Sequence, residues 1–230
     1  MVLIMLVDLL HLFFPAYCLS CRVVLSKSEQ FLCTACFNSL PQTDYHRVID
    51  NPMAQKFYGR VPIRYAMAFC KFSSGNPLQA LVYQLKYGNQ PKLGEFIGRY
   101  YGVMLAEMQW LHSFQLIIPV PLHKHKLSQR GYNQSDYFSK GLSAALDIPW
   151  QARCLQRIKH TTSQTKQTKL GRLQNVANAF YVADKQLIEG KHILLVDDII
   201  TTGATLEACS MALLEAGAQQ VSIATIGIAE

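Results

Sequence analysis

The sequence predicts an α/β fold with a mainly parallel central sheet flanked by helices, plus a small cysteine module near the N-terminus. Three observations predict it. His192–Val196 is a continuous apolar run, as in strands covered on both faces. After it come a small polar turn at 201–205, a helical stretch at Leu206–Ala216 and a second apolar run at Val221–Ile226, which together read as a right-handed βαβ unit. At the other end, Cys18-Leu-Ser-Cys21 and Cys33-Thr-Ala-Cys36 form two C-x-x-C pairs.

The chain has 230 residues, 50% of them hydrophobic and 16% charged, enough for one large domain or a domain plus a module. That composition excludes a disordered chain. With no uncharged apolar run of about 18 residues, a transmembrane helix is excluded as well. The expected organisation is an N-terminal helix and cysteine module over 1–40, a connector over 41–60 punctuated by Pro41 and Asn51-Pro52, and a main domain over 61–230.

The elements follow in order. The apolar stretch 1–17 contains Asp8 and His11, lacks a basic leader and shows no small-residue cleavage site, so it reads as a short helix packed on the body rather than an export signal. A chain retained in the cytoplasm keeps its thiols reduced, and an odd count of 7 cysteines argues against a disulfide framework. Val61–Phe72 reads as one or two strands, and Pro77–Lys86 and Leu93–Trp110 as helices. Leu93, Phe96, Ile97, Tyr100, Tyr101 and Met104 share one face of the second helix. Phe114–Pro119 is a short buried strand ending in Pro-Val-Pro, His123–Lys126 belongs to a basic loop, and Gln134–Leu146 is a helix. Lys159–Lys169, almost without large apolar residues, reads as a mobile loop, and Asp197-Asp198 is expected to end the strand that begins at His192. Gly217 closes the last helix as a C′ glycine.

Four thiolates on two tight turns can close a tetrahedral zinc site, so Cys18, Cys21, Cys33 and Cys36 are the expected ligands of a structural Zn²⁺. The alternatives are four unrelated buried cysteines or a redox pair, and the latter lacks a thioredoxin-like context. Cys70, Cys154 and Cys209 read as small buried hydrophobes.

Charge is divided along the chain. Residues 115–182 carry 10 basic and 2 acidic side chains, a net charge of +8 within a total of +7, while residues 183–230 carry a net −5. The basic residues are interleaved with Gln, Thr, Asn and Gly, unlike a low-complexity nucleic-acid tail.

In an open α/β sheet, ligands bind at the carboxyl ends of the strands, and there the sequence delivers Asp197 and Asp198. The following Thr201-Thr202-Gly203-Ala204-Thr205 offers hydroxyls, a glycine permitting close backbone approach and a helix N-terminus, which suits a phosphate. Two carboxylates would repel that phosphate unless they face another part of the ligand. A ribose phosphate meets this condition, with its hydroxyls on the carboxylates. Taken alone, the Asp pair fits an acidic metal or phosphoacceptor site equally well.

Val196–Thr205 resembles the phosphoribosyl-diphosphate signature of type I phosphoribosyltransferases. Leu85-Lys86-Tyr87, Pro119-Val120-Pro121-Leu122, Arg130-Gly131-Tyr132-Asn133-Gln134, Gln164 and the Cys₄ set extend the resemblance to the ComF/GntX-like family, over nearly the whole chain and in the family's order. The resemblance implies that Asp197 and Asp198 hold the ribose hydroxyls of phosphoribosyl diphosphate as the catalytic pair. Thr201, Thr202, Gly203, Ala204 and Thr205 would cradle its 5-phosphate. Pro119, Val120, Pro121, Leu122, Arg130, Gly131, Asn133, Gln134 and Lys86 would meet the diphosphate, together with a substrate-bound Mg²⁺. Lys159, Gln164, Lys166 and Arg172 would belong to a lid.

The implied activity is phosphoribosyl transfer to an unknown acceptor, with a family link to DNA uptake in natural transformation. Two readings stand beside it: a factor binding single-stranded DNA or DNA-uptake proteins, and a sensor of phosphoribosyl diphosphate without turnover. Blander readings stand beside single residues too. Arg130–Gln134 can be a turn and a helix start, Lys86 a lysine stabilising a helix C-terminus, His123 and His125 solvated histidines, and Trp110 and Trp150 packing residues.

Overall fold

A computed structural model describes residues 14–108, 113–157 and 179–229. The N-terminal segment before Phe14, Trp110 and the segment holding Lys159, Gln164, Lys166 and Arg172 lie outside the described residues.

Four strands form the central sheet: β1 (Ala66–Phe72), β2 (Leu116–Pro119), β5 (His192–Ile200) and β6 (Gln220–Ala229), in the order β1-β6-β5-β2 with every pairing parallel. A separate antiparallel pair joins β3 (Leu155–Arg157) to β4 (Phe180–Val182). The helices are α1 (Thr34–Asn38), α2 (Pro52–Gln55), α3 (Pro77–Tyr87), α4 (Pro91–Ala106), α5 (Lys124–Arg130), α6 (Gln134–Leu146) and α7 (Ala204–Glu215). Strand β5 lies at the centre, and His192 to Val196 are all buried, as a run without alternation requires when both faces are covered.

The two faces carry two apolar layers. On one, Leu93, Ile97, Tyr101 and Leu105 of α4 meet Phe138 and Leu142 of α6 above Ile117, Leu194, Val196, Ala224 and Ile226. On the other, Leu206, Cys209 and Leu213 of α7 pack against Ile118, Ile193, Leu195, Val221 and Ile223, joined by Met53 and Phe57 of the connector. Helices α4 and α6 cross at glycines: a Cβ on Gly141 would lie 2.2 Å from the Glu95 carbonyl oxygen, and one on Gly98 2.3 Å from that of Phe138. The cysteine module joins the first layer, where Phe31 and Phe37 pack against Phe96 and Phe37 also meets Tyr100 edge-on.

Several boundaries differ from the sequence reading. Strand β1 starts at Ala66, past Pro62, although hydrogen bonds to β6 begin just before it, with the Arg64 N–H on the Val221 carbonyl and the Ile223 N–H on the Tyr65 carbonyl, both at 2.8 Å. Helix α4 runs Pro91–Ala106, with Pro91 supplying the preset first-turn φ. The segment read as a basic loop is helix α5, with His123 as its N-cap accepting from the His125 N–H at 3.2 Å. Asp197-Asp198 does not end β5, since the ladder continues through Ile199↔Gly227 and Ile200↔Ile228. Backbone pairing with a long neighbour sets the strand end here, not side-chain polarity. Helix α7 starts at Ala204 rather than Leu206, because Gly203 at φ +81° is its N-cap and draws Thr205 into the first turn. Gly217, at φ +105°, is the C′ glycine expected. Cys70, Cys154 and Cys209 are buried, as expected for small apolar side chains.

Candidate ribose-phosphate site

Four elements converge at the carboxyl end of the sheet. Strand β5 brings Asp197 and Asp198, both half-buried. Asp197 Oδ1 accepts from Ser135 Oγ at 2.9 Å and from the Asp198 N–H at 2.8 Å. Asp198 Oδ2 pairs with Lys86 Nζ at 2.9 Å, and its Oδ1 accepts from the Ile199 N–H at 2.6 Å. Burial, and next the Asp198 carboxylate beside it, push the Asp197 carboxyl up to about 7, against the pull of Ser135 and Lys86. A carboxyl raised in this way beside a cleft is frequent in ligand sites.

Lys86 sits at the last turn of α3, where buried Leu85 faces the core and Lys86 is turned to the cleft. The Tyr132 hydroxyl donates to the Leu85 carbonyl, tying α3 to the turn before α6. Gly131, left-handed at φ +76°, ends α5. Asn133 then caps α6, accepting from the Ser135 N–H at 3.3 Å while its amide donates to the Val120 carbonyl at 2.9 Å. Through that bond the β2 terminus and the first turn of α6 are locked together. Val120 is also held by its N–H on the Val196 carbonyl, at 2.8 Å. Arg130 donates to Gln134 Oε1 at 3.0 Å, with its guanidinium 5.5 Å from the Tyr87 ring centroid.

The result is a cleft of about 300 Å³. Lys86, Val120, Pro121, Leu122, Arg130, Asn133, Gln134, Asp197, Asp198 and Thr205, all named from the sequence, border it. Thr201, Thr202, Gly203 and Ala204 line a smaller hollow of about 50 Å³ that shares Asp197 and Thr205 with the cleft. Gly203 is needed there twice, for its positive φ and because a Cβ would meet Phe57 Cε1 at 3.2 Å. The first N–H groups of α7 have no intrahelical carbonyl partner, and the Ala204 N–H donates to Thr202 Oγ1 at 3.4 Å within the loop that lines this hollow. Two expected residues are not brought in: Pro119 is buried within β2, and Gly131 is an exposed turn.

Four lining residues escaped the sequence reading: Ser135, Arg157, His123 and Lys126. Ser135 directly follows the Arg130–Gln134 stretch and stands in the capping turn, so its place was discernible. Arg157 comes from β3, far along the chain, and no local pattern marks it. The division of charge is spatial: the basic middle segment supplies Lys126, Arg130 and Arg157, and the acidic C-terminal part supplies the two carboxylates.

The sulfurs of Cys18, Cys21, Cys33 and Cys36 all lie within 4.8 Å of one another. A tetrahedral site with Zn–S of about 2.3 Å needs sulfurs roughly 3.8 Å apart, so the cluster is sized for a metal ion. Burial opposes ionisation of Cys18, yet backbone hydrogen bonds from Cys33, Cys21 and Ser20 bring its thiol down to about 6.

The chain is similar to several known proteins. The phosphoribosyl transferase domain family matches residues 134–227, from the start of α6 into β6. Competence protein F of Haemophilus influenzae is 36% identical over 151 residues, covering 64% of this chain and 66% of that protein. The DNA utilization protein YhgH of Escherichia coli K12 is 26% identical over 224 residues, 91% of this chain and 95% of that one. Among solved structures, the glutamine phosphoribosylpyrophosphate amidotransferase of B. subtilis aligns at 21% identity and a TM-score of 0.44, over 63% of this chain and 30% of its own. With its Cys₄ cluster, its parallel sheet and its matched domain, the chain belongs to the ComF-like, competence-associated family of type I phosphoribosyltransferase-fold proteins.

Proposed function

We propose that the cleft binds phosphoribosyl diphosphate and that the protein transfers its phosphoribosyl group to an acceptor, in the setting of DNA uptake or use that the relatives' names indicate. The observation that carries this reading is the adjacency of the Asp197–Asp198 pair to the 201–205 hollow on one side and to Lys86, Lys126, Arg130 and Arg157 on the other. Ribose hydroxyls donate to the carboxylates, the 5-phosphate takes the N–H groups and hydroxyls of 201–205, and the diphosphate meets the basic rim. Ser135 holds Asp197 in place for this.

Displacement of diphosphate at ribose C1 through an oxocarbenium-like transition state asks the protein for positioning, charge neutralisation and exclusion of water. The rim cations stabilise the charge that collects on departing diphosphate. Bound with the substrate, Mg²⁺ supplies further neutralisation of the diphosphate oxygens. The Cys₄ cluster holds a structural Zn²⁺ in this reading, and the protein works in the cytoplasm, in line with the lack of any membrane-spanning helix among the described residues.

Diphosphate release, assayed with Mg²⁺ over a panel of bases, amines and nucleotides, tests transfer. Release with one acceptor class supports it, whereas tight binding without release under every condition leaves a sensor. A second reading has its own observation. Tyr83 and Tyr87 are 60% and 66% exposed, with ring centroids 5.3 Å apart, beside the basic rim. Such a platform suits single-stranded DNA, with stacking on the rings and phosphates on the rim. Affinity that does not fall with salt would contradict it.

A further inference from the structure

Arg60 lies in the connector, outside the cleft and outside every motif of the sequence reading, yet its guanidinium reaches the 201–205 loop. Nη1 donates to the Thr202 carbonyl at 3.1 Å and to the Lys56 carbonyl at 2.9 Å, and Nη2 pairs with Glu207. Glu207 belongs to the first turn of α7, the same turn whose Ala204, Thr205 and Leu206 line the hollow. A carboxylate in a helix's first turn suits the helix dipole, but it is adverse where the same terminus must accept a phosphate dianion. Phe57, three residues before Arg60, packs against Gly203, so the connector touches this loop at two points.

We propose that Arg60 is a positioning residue for phosphate binding, acting by neutralising Glu207 beside the 5-phosphate loop. The inference rests on the phosphoribosyl diphosphate reading and extends it, because it assigns the connector a part in setting the loop's charge. A brace alone would need only the carbonyl contacts. The guanidinium instead stands between the Thr202 carbonyl and the carboxylate, where its charge cancels the one group in that turn that opposes an anion.

The test is the affinity for phosphoribosyl diphosphate with Mg²⁺, measured by titration calorimetry on the full chain with melting curves run alongside. Arg60→Gln should weaken binding roughly tenfold, about 1.4 kcal/mol. Glu207→Gln should bind no more weakly than wild type. The double variant Arg60→Gln/Glu207→Gln should regain affinity to within roughly threefold of wild type, since removing the carboxylate removes the need for its counter-charge. The rescue discriminates: a structural tie between connector and helix would be broken by either single change and left broken in the double. Weaker binding by Glu207→Gln, or a double variant as weak as Arg60→Gln, overturns the proposal. Should Arg60→Gln fail to fold, the Glu207→Gln result decides alone. Wild type that binds while Arg60→Gln binds equally well overturns the role of Arg60 and leaves the cleft assignment standing; wild type that does not bind overturns both.

Discussion

Replacing Gly141 by alanine tests the link between helix packing and the site. Gly141 faces α4 backbone to backbone, and a Cβ there would lie 2.2 Å from the Glu95 oxygen, 2.7 Å from the Arg99 nitrogen and 2.8 Å from the Gly98 Cα. Ordinary carbon–oxygen contact is roughly 1 Å longer than the first of these, so α6 must move away from α4 by about that much. The obstacle is main chain on a packed helix and cannot rotate aside. Overpacking of this kind costs about 1–3 kcal/mol, and more where backbone is displaced, while alanine returns up to about 1 kcal/mol of helix propensity. A net loss of about 2 kcal/mol lowers the melting temperature by roughly 4–8 °C for a chain of this size. Since α6 carries Gln134 and Ser135 into the cleft, the shift also loosens the Ser135–Asp197 hydrogen bond and ligand affinity falls with it. Gly94 is the control: a Cβ there would meet the Tyr137 Cβ at 3.1 Å and the Leu85 Cδ1 at 3.2 Å, both side-chain atoms, so Gly94→Ala should cost much less. Thermal and urea melts of the two variants give the comparison. A Gly141→Ala protein as stable as wild type, or no less stable than Gly94→Ala, would refute the packing argument.

Two further predictions concern charge and metal. The Asp197 carboxyl has its pKa raised from 3.8 to about 7 in the folded chain, so its ionised form is disfavoured by folding. The associated loss of stability is absent below the unfolded value and complete above the folded one, so wild type should be less stable than Asp197→Asn at pH 8, with the two melting temperatures converging as pH falls toward 4. A gap independent of pH would contradict the raised pKa. For the cysteine cluster, metal analysis should return one Zn²⁺ per chain, and Cys33→Ser should lower both metal content and melting temperature; well under one Zn²⁺ in wild type removes the zinc assignment.

What the sequence revealed about this fold depended on whether the cause was local. The apolar run of β5, the glycine turn and the helix behind it are set by neighbouring residues, and all were legible, as was α6. The Cys₄ spacing was equally direct, because two short turns suffice to gather the sulfurs. Helix α5 was not legible: Lys124–Gln129 is exposed throughout and has no apolar face to set a helical period. Nor was the end of β5, since its pairing partner β6 continues past the carboxylates. The cleft residues on β5, α3 and the turn before α6 carry motif signals, whereas Arg157 reaches the cleft, and Arg60 the neighbouring 201–205 loop, only through tertiary placement. Pro119 and Gly131 lie inside motifs, and the structure places one at the end of a strand and the other in a turn, neither lining the cleft.

The claim at the centre of this account is that the Asp197–Asp198 edge receives the ribose of phosphoribosyl diphosphate. Titration calorimetry of phosphoribosyl diphosphate with Mg²⁺ into wild type and into Asp197→Asn/Asp198→Asn tests it most directly, with melting curves confirming that both are folded. The account predicts saturable binding by wild type and its loss in the double variant, along with the stabilisation that ligand at 100 times its Kd confers, about 2.7 kcal/mol. Absence of binding by wild type, or undiminished binding by the folded double variant, would contradict it.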